Sequence, residues 1–381
     1  MIRHLALHFI LKSEIPFQEE WPDDVQVMHE ALKGNQTIHF KDAGTPLRLC
    51  TALLSQVPGT ILTGNKELVK RPLKPLLQTL EQLGARFSYH QEVYALPFTV
   101  KKSCNAFASC TIDDTLSSQF TSALLLLACT QRQKVTLHSK TKIQGNYVKQ
   151  TLNALNAAGI QAQITSNRYE VWDQEKIKVP EESIETDYSS LAFLLNLALA
   201  RPYNTFSVRG LNPHSIQADK AAISLYTKLG MSFTWKADVL SFCYTPKEQK
   251  EIELDVKPCI DLAPALIAAC AYLGISLVLT RYENLKYKES NRIQAMTKNL
   301  NQIGYRLEEY NNTLVLKGSL KKIPRLSIRS FEDHRIVMAM SLFGLDQEFI
   351  CDNRSCISKS FPSYWEEFKK VKNTSHLGIG I

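Results

Sequence analysis

Asp42-Ala43-Gly44-Thr45-Pro46-Leu47-Arg48 decides how the chain is read. One acid and a small polar turn open directly into an apolar run, Leu49 to Leu54, which is the pattern of a strand-to-helix corner with a capped N-terminus. Unpaired backbone N–H groups at such a corner attract anions. The pattern returns. Asp114-Thr115-Leu116-Ser117-Ser118-Gln119 leads into Phe120 to Ala128, and Asp187-Tyr188-Ser189-Ser190, Asp261-Leu262-Ala263-Pro264 and Asp333-His334-Arg335 stand before further apolar runs. The acids fall at 42, 114, 187, 261 and 333, a period of 72–74 residues.

A second marker keeps the same period. Gly84, Gly159, Gly230 and Gly304 close amphipathic helical patterns at 71–85, 146–160, 215–231 and 290–305, where a left-handed residue ends a helix. The last unit has its pattern at 361–371, and a copy at 23–34 precedes the first corner, so the chain holds six units. Each reads strand, helix apolar nearly all round, strand, amphipathic helix and strand pair, with Asn311-Asn312 a two-residue hairpin turn in one such pair. Carried back one period, the first unit's corner falls about thirty residues before Met1. The expectation is a first unit without its buried helix. Met1 to Leu11 alternates and reads as a strand.

At 381 residues and 44% apolar content the chain has the material for two domains, and six units split three and three near 184–187. The net charge of +8 points to anionic partners. The basic residues are spread and lack aromatic interleaving, which favours small phosphorylated or carboxylated ligands over nucleic acid. There are nine cysteines, with no Cys-x-x-Cys pair and no histidines at zinc-ligand spacing from Cys351 and Cys356. Cys50, Cys129 and Cys270 lie in apolar runs as packing groups. No apolar run approaches the roughly twenty residues of a membrane span, and His4, His8 and Lys12 break the start as a leader. The expected setting is the cytoplasm, with no membrane partner.

Several residues have two readings from sequence alone. Arg48, one turn into a buried helix, needs a partner. Arg71 is an anion ligand or a solvated charge. Ser117, Ser118 and Gln119 grip a phosphate or hydroxyl, or simply cap a helix; Asp187-Tyr188-Ser189-Ser190 reads as a cap. The densest cluster is Asn284-Leu285-Lys286-Tyr287-Lys288-Glu289-Ser290-Asn291-Arg292. With Ser290 as cap, Lys288 and Glu289 hang from the loop and Arg292 projects from the first turn, giving an acid/base group with an anion clamp, or a solvated charge run. His334 and Arg335 sit at an equivalent corner, Lys359 precedes the last helix, and Asp261 is a base or a cap.

Together these motifs resemble the enolpyruvyl transferases. Asp42 to Arg48 is similar to that family's Asn-Ala-Gly-Thr-x-x-Arg, Leu62-Thr63-Gly64 with Arg71-Pro72 to its Leu-Thr-Gly and Arg-Pro, and Ser117-Ser118-Gln119-Phe120 to its Ser-Ser-Gln-Phe. Lys288 to Arg292, Asp333-His334-Arg335 and Lys359-Ser360-Phe361-Pro362 match its later motifs in order. The resemblance implies an α/β (α+β) fold of two domains, each three βαβαββ repeats around buried central helices, the first repeat here truncated. It implies that the N-terminal strand joins the far domain, giving 1–11 with 187–381 and 12–186 as the other half.

The implied activity transfers the enolpyruvyl group of phosphoenolpyruvate to the 5-hydroxyl of shikimate 3-phosphate, in a monomer without cofactor or metal. By the resemblance Asp261 is the base, Glu289 the proton donor and His334 a neighbour of the reacting centre. Gly44, Arg71, Gln119, Arg292, Arg335 and Lys359 hold phosphoenolpyruvate; Ser117, Ser118, Gln119, Tyr147, Asp261, Asn284 and Lys288 hold shikimate 3-phosphate. Two departures stand out. Asp42 replaces an Asn, and the family's Lys-Ser-x-Ser-Asn-Arg, which opens the first buried helix, is reduced to Lys12-Ser13. At about 1.5–3 kcal/mol per charged hydrogen bond, two lost cations cost several kcal/mol. The lost helix leaves a gap, so 12–186 is expected to be the looser half, with faster hydrogen exchange at 48–55 and 120–128 than at 263–273 and 336–345.

Overall fold

The computed structural model describes residues 1–13, 15–131, 133–141, 146–165, 168–172, 185–321 and 323–374. The chain divides into two compact units, Met1–Ile184 and Glu185–Ile381.

In the first unit the order is α1 (Ile2–Ile10), α2 (Asp23–Ala31), β1 (Thr37–His39), α3 (Gly44–Leu54), β2 (Ile61–Thr63), α4 (Lys66–Val69), α5 (Lys74–Gln82), β3 (Arg86–Tyr89) and β4 (Phe98–Lys102). It continues with β5 (Ser109–Ile112), α6 (Ser118–Ala128), β6 (Val135–Ser139), α7 (Asn146–Ala157), β7 (Gln161–Thr165) and β8 (Arg168–Trp172). The two sheets run β1-β2-β4-β3 and β5-β6-β8-β7. In each, the first two strands are parallel and joined through an apolar helix, α3 or α6, while the last two are antiparallel. That is the repeat read from the 72–74-residue period.

The second unit holds α8 (Tyr188–Leu199), β9 (Thr205–Arg209), α9 (Ala221–Lys228), β10 (Met231–Lys236), β11 (Val239–Tyr244), β12 (Glu251–Asp255), α10 (Ala263–Leu273) and β13 (Ser276–Thr280). Then come α11 (Arg292–Gln302), β14 (Tyr305–Tyr310), β15 (Thr313–Gly318), β16 (Leu326–Ile328), α12 (His334–Ser341), β17 (Phe349–Cys351) and α13 (Tyr364–Asn373). The sheet β12-β13-β15-β14 repeats the first unit's order, beside β10-β11-β9 and the parallel pair β16-β17. Asn311 and Asn312 turn the β14–β15 hairpin at φ of 45° and 58°, and the four marker glycines all have positive φ. The apolar helices α8, α10 and α12 pack on one another at the centre, with Ala265, Leu266 and Ala268 fully buried. All nine cysteines are free thiols, and no helix among the described residues is long and apolar enough to cross a membrane.

The N-terminus departs from the sequence reading. Residues 2–10 are a helix in the first unit, not a strand of the second half. A strand would bury Leu5 and Leu7 on one face and turn Ala6 to the other; all three are buried, because α1 lies against α2, α3 and α7. The period-2 signal came from small Ala6 standing between two leucines. The helix closes with Lys12 in the left-handed region at φ 54°, Ser13 N–H donating to His8 O at 2.9 Å and Lys12 N–H to Phe9 O at 3.2 Å. Lys12-Ser13 is therefore a helix C-terminus and not a remnant of a ligand-binding motif.

The neighbours of α1 identify its place. In the second unit α8 packs on the next central helix α10, on its own repeat's outer helix α9 and on the last outer helix α13. The corresponding partners in the first unit are α3, α2 and α7, and these are the partners of α1. So the first buried helix is present, and the expected gap is filled: Leu49, Leu53 and Leu124 through Leu127 are at most 1% exposed. Leu7→Ala is expected to destabilise the chain by about 3 kcal/mol through the cavity it leaves, read as a shift of the urea midpoint at unchanged m. A midpoint at the wild-type value would show that α1 is not part of the core.

Candidate active site

In the first unit the corners before α3 and α6 meet. Gln119, on the first turn of α6, donates through Nε2 to Thr45 Oγ1 at 2.7 Å and accepts from Arg48 Nη1 at 2.7 Å. Arg48 also donates to Pro72 O at 3.3 Å and lies 5.4 Å from the centre of the Phe120 ring. Burial and the neighbouring guanidinium of Arg71 lower its pKa to about 9. Arg71 packs directly over Gly44, where a Cβ would collide with Nη1, so only glycine leaves room for the guanidinium. The cap of α6 is Ser117, which accepts from Gln119 N–H at 3.3 Å, with Ser118 half-buried beside it. Asp42 turns aside and accepts from Asn65 Nδ2 at 2.9 Å.

Tyr147 stands on the first turn of α7, and its carbonyl accepts from Arg3 Nη2 at 3.0 Å while Arg3 Nε donates to Thr151 Oγ1 at 2.8 Å. Burial lowers the pKa of Arg3 to about 10. The sequence reading missed this residue. The signal was there: an arginine two residues ahead of Leu5-Ala6-Leu7, hidden by taking the segment for a strand.

The second unit gathers a denser set. Asp261 is the next-to-last residue of a 3-10 segment, Lys257–Leu262, just before α10, and its Oδ1 is 3.0 Å from Lys288 Nζ and 2.9 Å from Arg292 Nη1. Arg335 donates to the Asp261 carbonyl at 3.1 Å, with Nη2 4.0 Å from Oδ2. Burial would raise the Asp261 carboxyl, but Lys288, Arg335 and Arg292 outweigh it and hold the acid well below the usual carboxylate range. Burial in turn lowers Lys288 despite the pull of Asp261.

Arg292 itself is 2% exposed and bridges to Asp333, donating from Nε to Oδ2 at 2.8 Å and from Nη2 to Oδ1 at 3.3 Å. Asp333 also caps α12 through Arg335 N–H at 3.0 Å. Asn291 caps α11, accepting from Gln294 N–H at 3.2 Å, and not Ser290, whose hydroxyl donates to Asp333 at 3.1 Å.

Glu289 faces the other way: Oε2 is 2.8 Å from His334 Nδ1 and Oε1 is 3.3 Å from Lys359 Nζ. Two segments deliver these partners, and they are tied together. Asp352 accepts from Ser330 N–H at 2.8 Å, and Glu332 accepts from Asn353 Nδ2 at 2.7 Å. Phe331 and Glu332 both sit at φ 53°, a left-handed pair that side chains disfavour by about 1–2 kcal/mol each. The structure keeps this strain at the entry to Asp333-His334-Arg335. Of the expected residues, Asn284 alone in this unit lies exposed on its turn.

Glu289, Asp333 and His334 bring ligand-type atoms within 4.8 Å of one another. They do not form a metal site by chemistry: both Asp333 oxygens are taken by Arg292, and Lys359 and Arg292 set two positive charges beside the set. The arrangement is instead three carboxylates held against cations: Asp261 and Asp333, both depressed by them, and Glu289 between an imidazole and Lys359.

The profile of the family described as EPSP synthase (3-phosphoshikimate 1-carboxyvinyltransferase) matches residues 18–368. A 3-phosphoshikimate 1-carboxyvinyltransferase of Bacteroides fragilis is 27% identical over 387 residues, spanning 100% of this chain and 93% of the relative. One of Pyrococcus abyssi is 31% identical over 339 residues, covering 88% of this chain and 79% of the relative. In fold, the chain superposes on an EPSP synthase from Acinetobacter baumannii with a TM-score of 0.73 at 20% identity, over 97% of this chain and 93% of that one. With the match running from the loop before α2 into α13, the chain belongs to the EPSP synthase family.

Proposed function

We propose that this chain transfers the enolpyruvyl group of phosphoenolpyruvate to the 5-hydroxyl of shikimate 3-phosphate, releasing phosphate. The observation that carries the reading is the pair of carboxylates in the second unit, Asp261 among Lys288, Arg292 and Arg335, and Glu289 between His334 and Lys359. The chemistry needs these parts. A proton delivered to the methylene carbon turns it into a methyl group and makes the neighbouring carbon electrophilic, the cyclohexene-ring hydroxyl adds there as its proton leaves, and loss of phosphate with one methyl proton restores the double bond.

In this reading Glu289 handles the methylene proton and His334 orients its carboxyl. Asp261 accepts the hydroxyl proton. In the ligand-free protein three cations keep it a weak base; anionic substrate bound to Arg292 and Arg335, as well as to Lys359, shares the charge of those two arginines and raises the proton affinity of Asp261. Gly44, Arg71 and Gln119 complete the phosphoenolpyruvate contacts. Ser117, Ser118, Gln119, Tyr147, Asn284, Lys288 and Asp261 hold shikimate 3-phosphate. To these we add Arg3, a half-buried cation whose hydrogen bonds go to neutral acceptors, Tyr147 O and Thr151 Oγ1. It supplies a charge that the sequence reading counted as lost. We place the reaction in the cytoplasm, which nine free thiols support, and take the monomer as the working form.

The test is phosphate release by the purified chain given both substrates. Release that depends on shikimate 3-phosphate is expected, and none above the blank lacking it would overturn the reading. Gly44→Ala is expected to raise KM for phosphoenolpyruvate about tenfold, because its Cβ displaces Arg71, with KM for shikimate 3-phosphate little changed; steady-state kinetics in each substrate separates the two.

A further inference from the structure

The corner Asp187-Tyr188-Ser189-Ser190 reads from sequence as a helix cap, and it is one. Asp187 caps α8, its Oδ1 accepting from Ser189 N–H at 2.9 Å. The same carboxylate makes a second bond, in which Oδ2 accepts from the Ser189 hydroxyl at 2.6 Å. Ser189 is 4% exposed. Its only hydroxyl proton is thereby committed to Asp187, and the oxygen presents lone pairs alone to anything else. What it meets is Arg335 Nη2, donating at 3.1 Å. The first turns of α8 and α12 face each other through this contact, since Arg335 is the second residue of α12 as Ser189 is of α8.

We propose that Ser189, polarised by Asp187, is a positioning residue that sets the guanidinium of Arg335 for phosphoenolpyruvate. The inference rests on the reading above that Arg335 binds that substrate. Arg335 is gripped at both ends by neutral oxygens, Ser189 Oγ on Nη2 and the Asp261 carbonyl on Nη1 at 3.1 Å, while the nearest Asp261 carboxylate oxygen stays 4.0 Å away. This fixes the plane of the fork through neutral oxygens, while the charges of Asp261, Asp219 and Asp187 also favour the guanidinium. A bidentate Arg–carboxylate pair would fix the plane equally well but would engage the N–H groups that an anionic ligand needs. Placing the acid one hydroxyl away keeps its orienting effect and leaves the cation available. Neither an arginine alone nor a cap alone predicts this; the two corners must be brought together.

The proposal makes two variants behave alike although they differ chemically. Ser189→Ala removes the acceptor and leaves the Asp187 cap on the backbone N–H in place. Asp187→Asn keeps a capping oxygen, but its amide donates to Ser189 Oγ, which frees the hydroxyl proton to point at Arg335, donor against donor. Both are expected to raise KM for phosphoenolpyruvate about tenfold, to leave KM for shikimate 3-phosphate within twofold, and to melt within a few degrees of the wild type; Ser189→Thr, which keeps the hydroxyl, restores the wild-type KM.

Arg335→Ala separates the two layers of the argument. If it leaves KM for phosphoenolpyruvate unchanged, the assignment of Arg335 to that substrate fails. If it raises KM while Ser189→Ala and Asp187→Asn do not, Arg335 binds the substrate without help from Ser189 and the inference is wrong. On the Arg335→Ala background, Ser189→Ala is expected to add nothing. An added effect there, or equal rises in both KM values with a lowered melting temperature, would mean a merely structural role. Should Ser189→Ala not fold, Asp187→Asn carries the same comparison.

Discussion

Glu289→Gln is expected to lower kcat about 10³-fold while KM for each substrate stays within a few-fold. The amide keeps the size and planarity of the side chain, so the packing at 13% exposure survives. It removes the carboxyl that the proposed reaction assigns to proton transfer at the methylene carbon. The neighbours sharpen the effect: with His334 Nδ1 at 2.8 Å on one oxygen and Lys359 Nζ at 3.3 Å on the other, a carboxamide must turn its NH₂ toward a cation or an imidazole. Phosphate release at saturating concentrations of both substrates measures it. A variant keeping a tenth of the wild-type kcat would remove Glu289 from proton transfer and leave it an electrostatic partner.

Arg292→Leu is expected to destabilise the second unit by about 3–5 kcal/mol, the range for stripping one partner from a buried ion pair. Arg292 sits between two acids, one of them fully buried, and its loss leaves Asp333 with no guanidinium. The pH dependence gives the sign. Burial pushes the Asp333 carboxyl up, Arg292 more than reverses it, and the net is a pKa below the usual carboxylate range. A depressed carboxyl contributes stability in full above its unfolded value, about 3.9, and loses it as the pH falls through the folded value. The wild type therefore gives up this contribution in acid, whereas the variant has none to give up. The gap between their urea midpoints should be widest near neutral pH and should narrow below about pH 4. A gap that is constant with pH would mean that Arg292 acts by packing alone. Replacing both partners, Arg292→Leu with Asp333→Leu, should recover much of the loss, since no charge is then stranded.

How much of this was legible depends on how local the cause is. The places of the corners were, because a polar turn and a following apolar run are local events and the period of 72–74 residues repeated them five times; the capping role of the acid held only at Asp187 and Asp333, while α6 is capped by Ser117 and α3 and α10 have no side-chain cap. The hairpin at Asn311-Asn312 was, for the same reason. The N-terminal helix was not: nine residues with alternating leucines satisfy a strand as well as a helix, and what decides is the surface offered by α2, α3 and α7, far along the chain. That error concealed Arg3 and led to a predicted void. In the second unit the residue types of the cluster were evident, but not its wiring. Ser290 looks like a cap and instead serves Asp333, while Ser189 looks like a cap and also serves Arg335. Such second bonds join residues 43 and 146 positions apart, beyond anything a window along the sequence can show.

The placing of α1 has a consequence for how the chain is made. Arg3 bonds to Tyr147 and Thr151, 144 and 148 residues downstream. At ribosomal speeds of about 5–20 residues per second, roughly 7–30 s pass between synthesis of the helix and synthesis of its partner. Throughout that interval an apolar segment with Leu5, Leu7, Phe9 and Ile10 has α2 and then α3 to lean on, but not α7. Nascent chains stalled before residue 146 should therefore expose residues 2–10 to protease and to chaperones that hold apolar peptides, and chains stalled well beyond 172 should not.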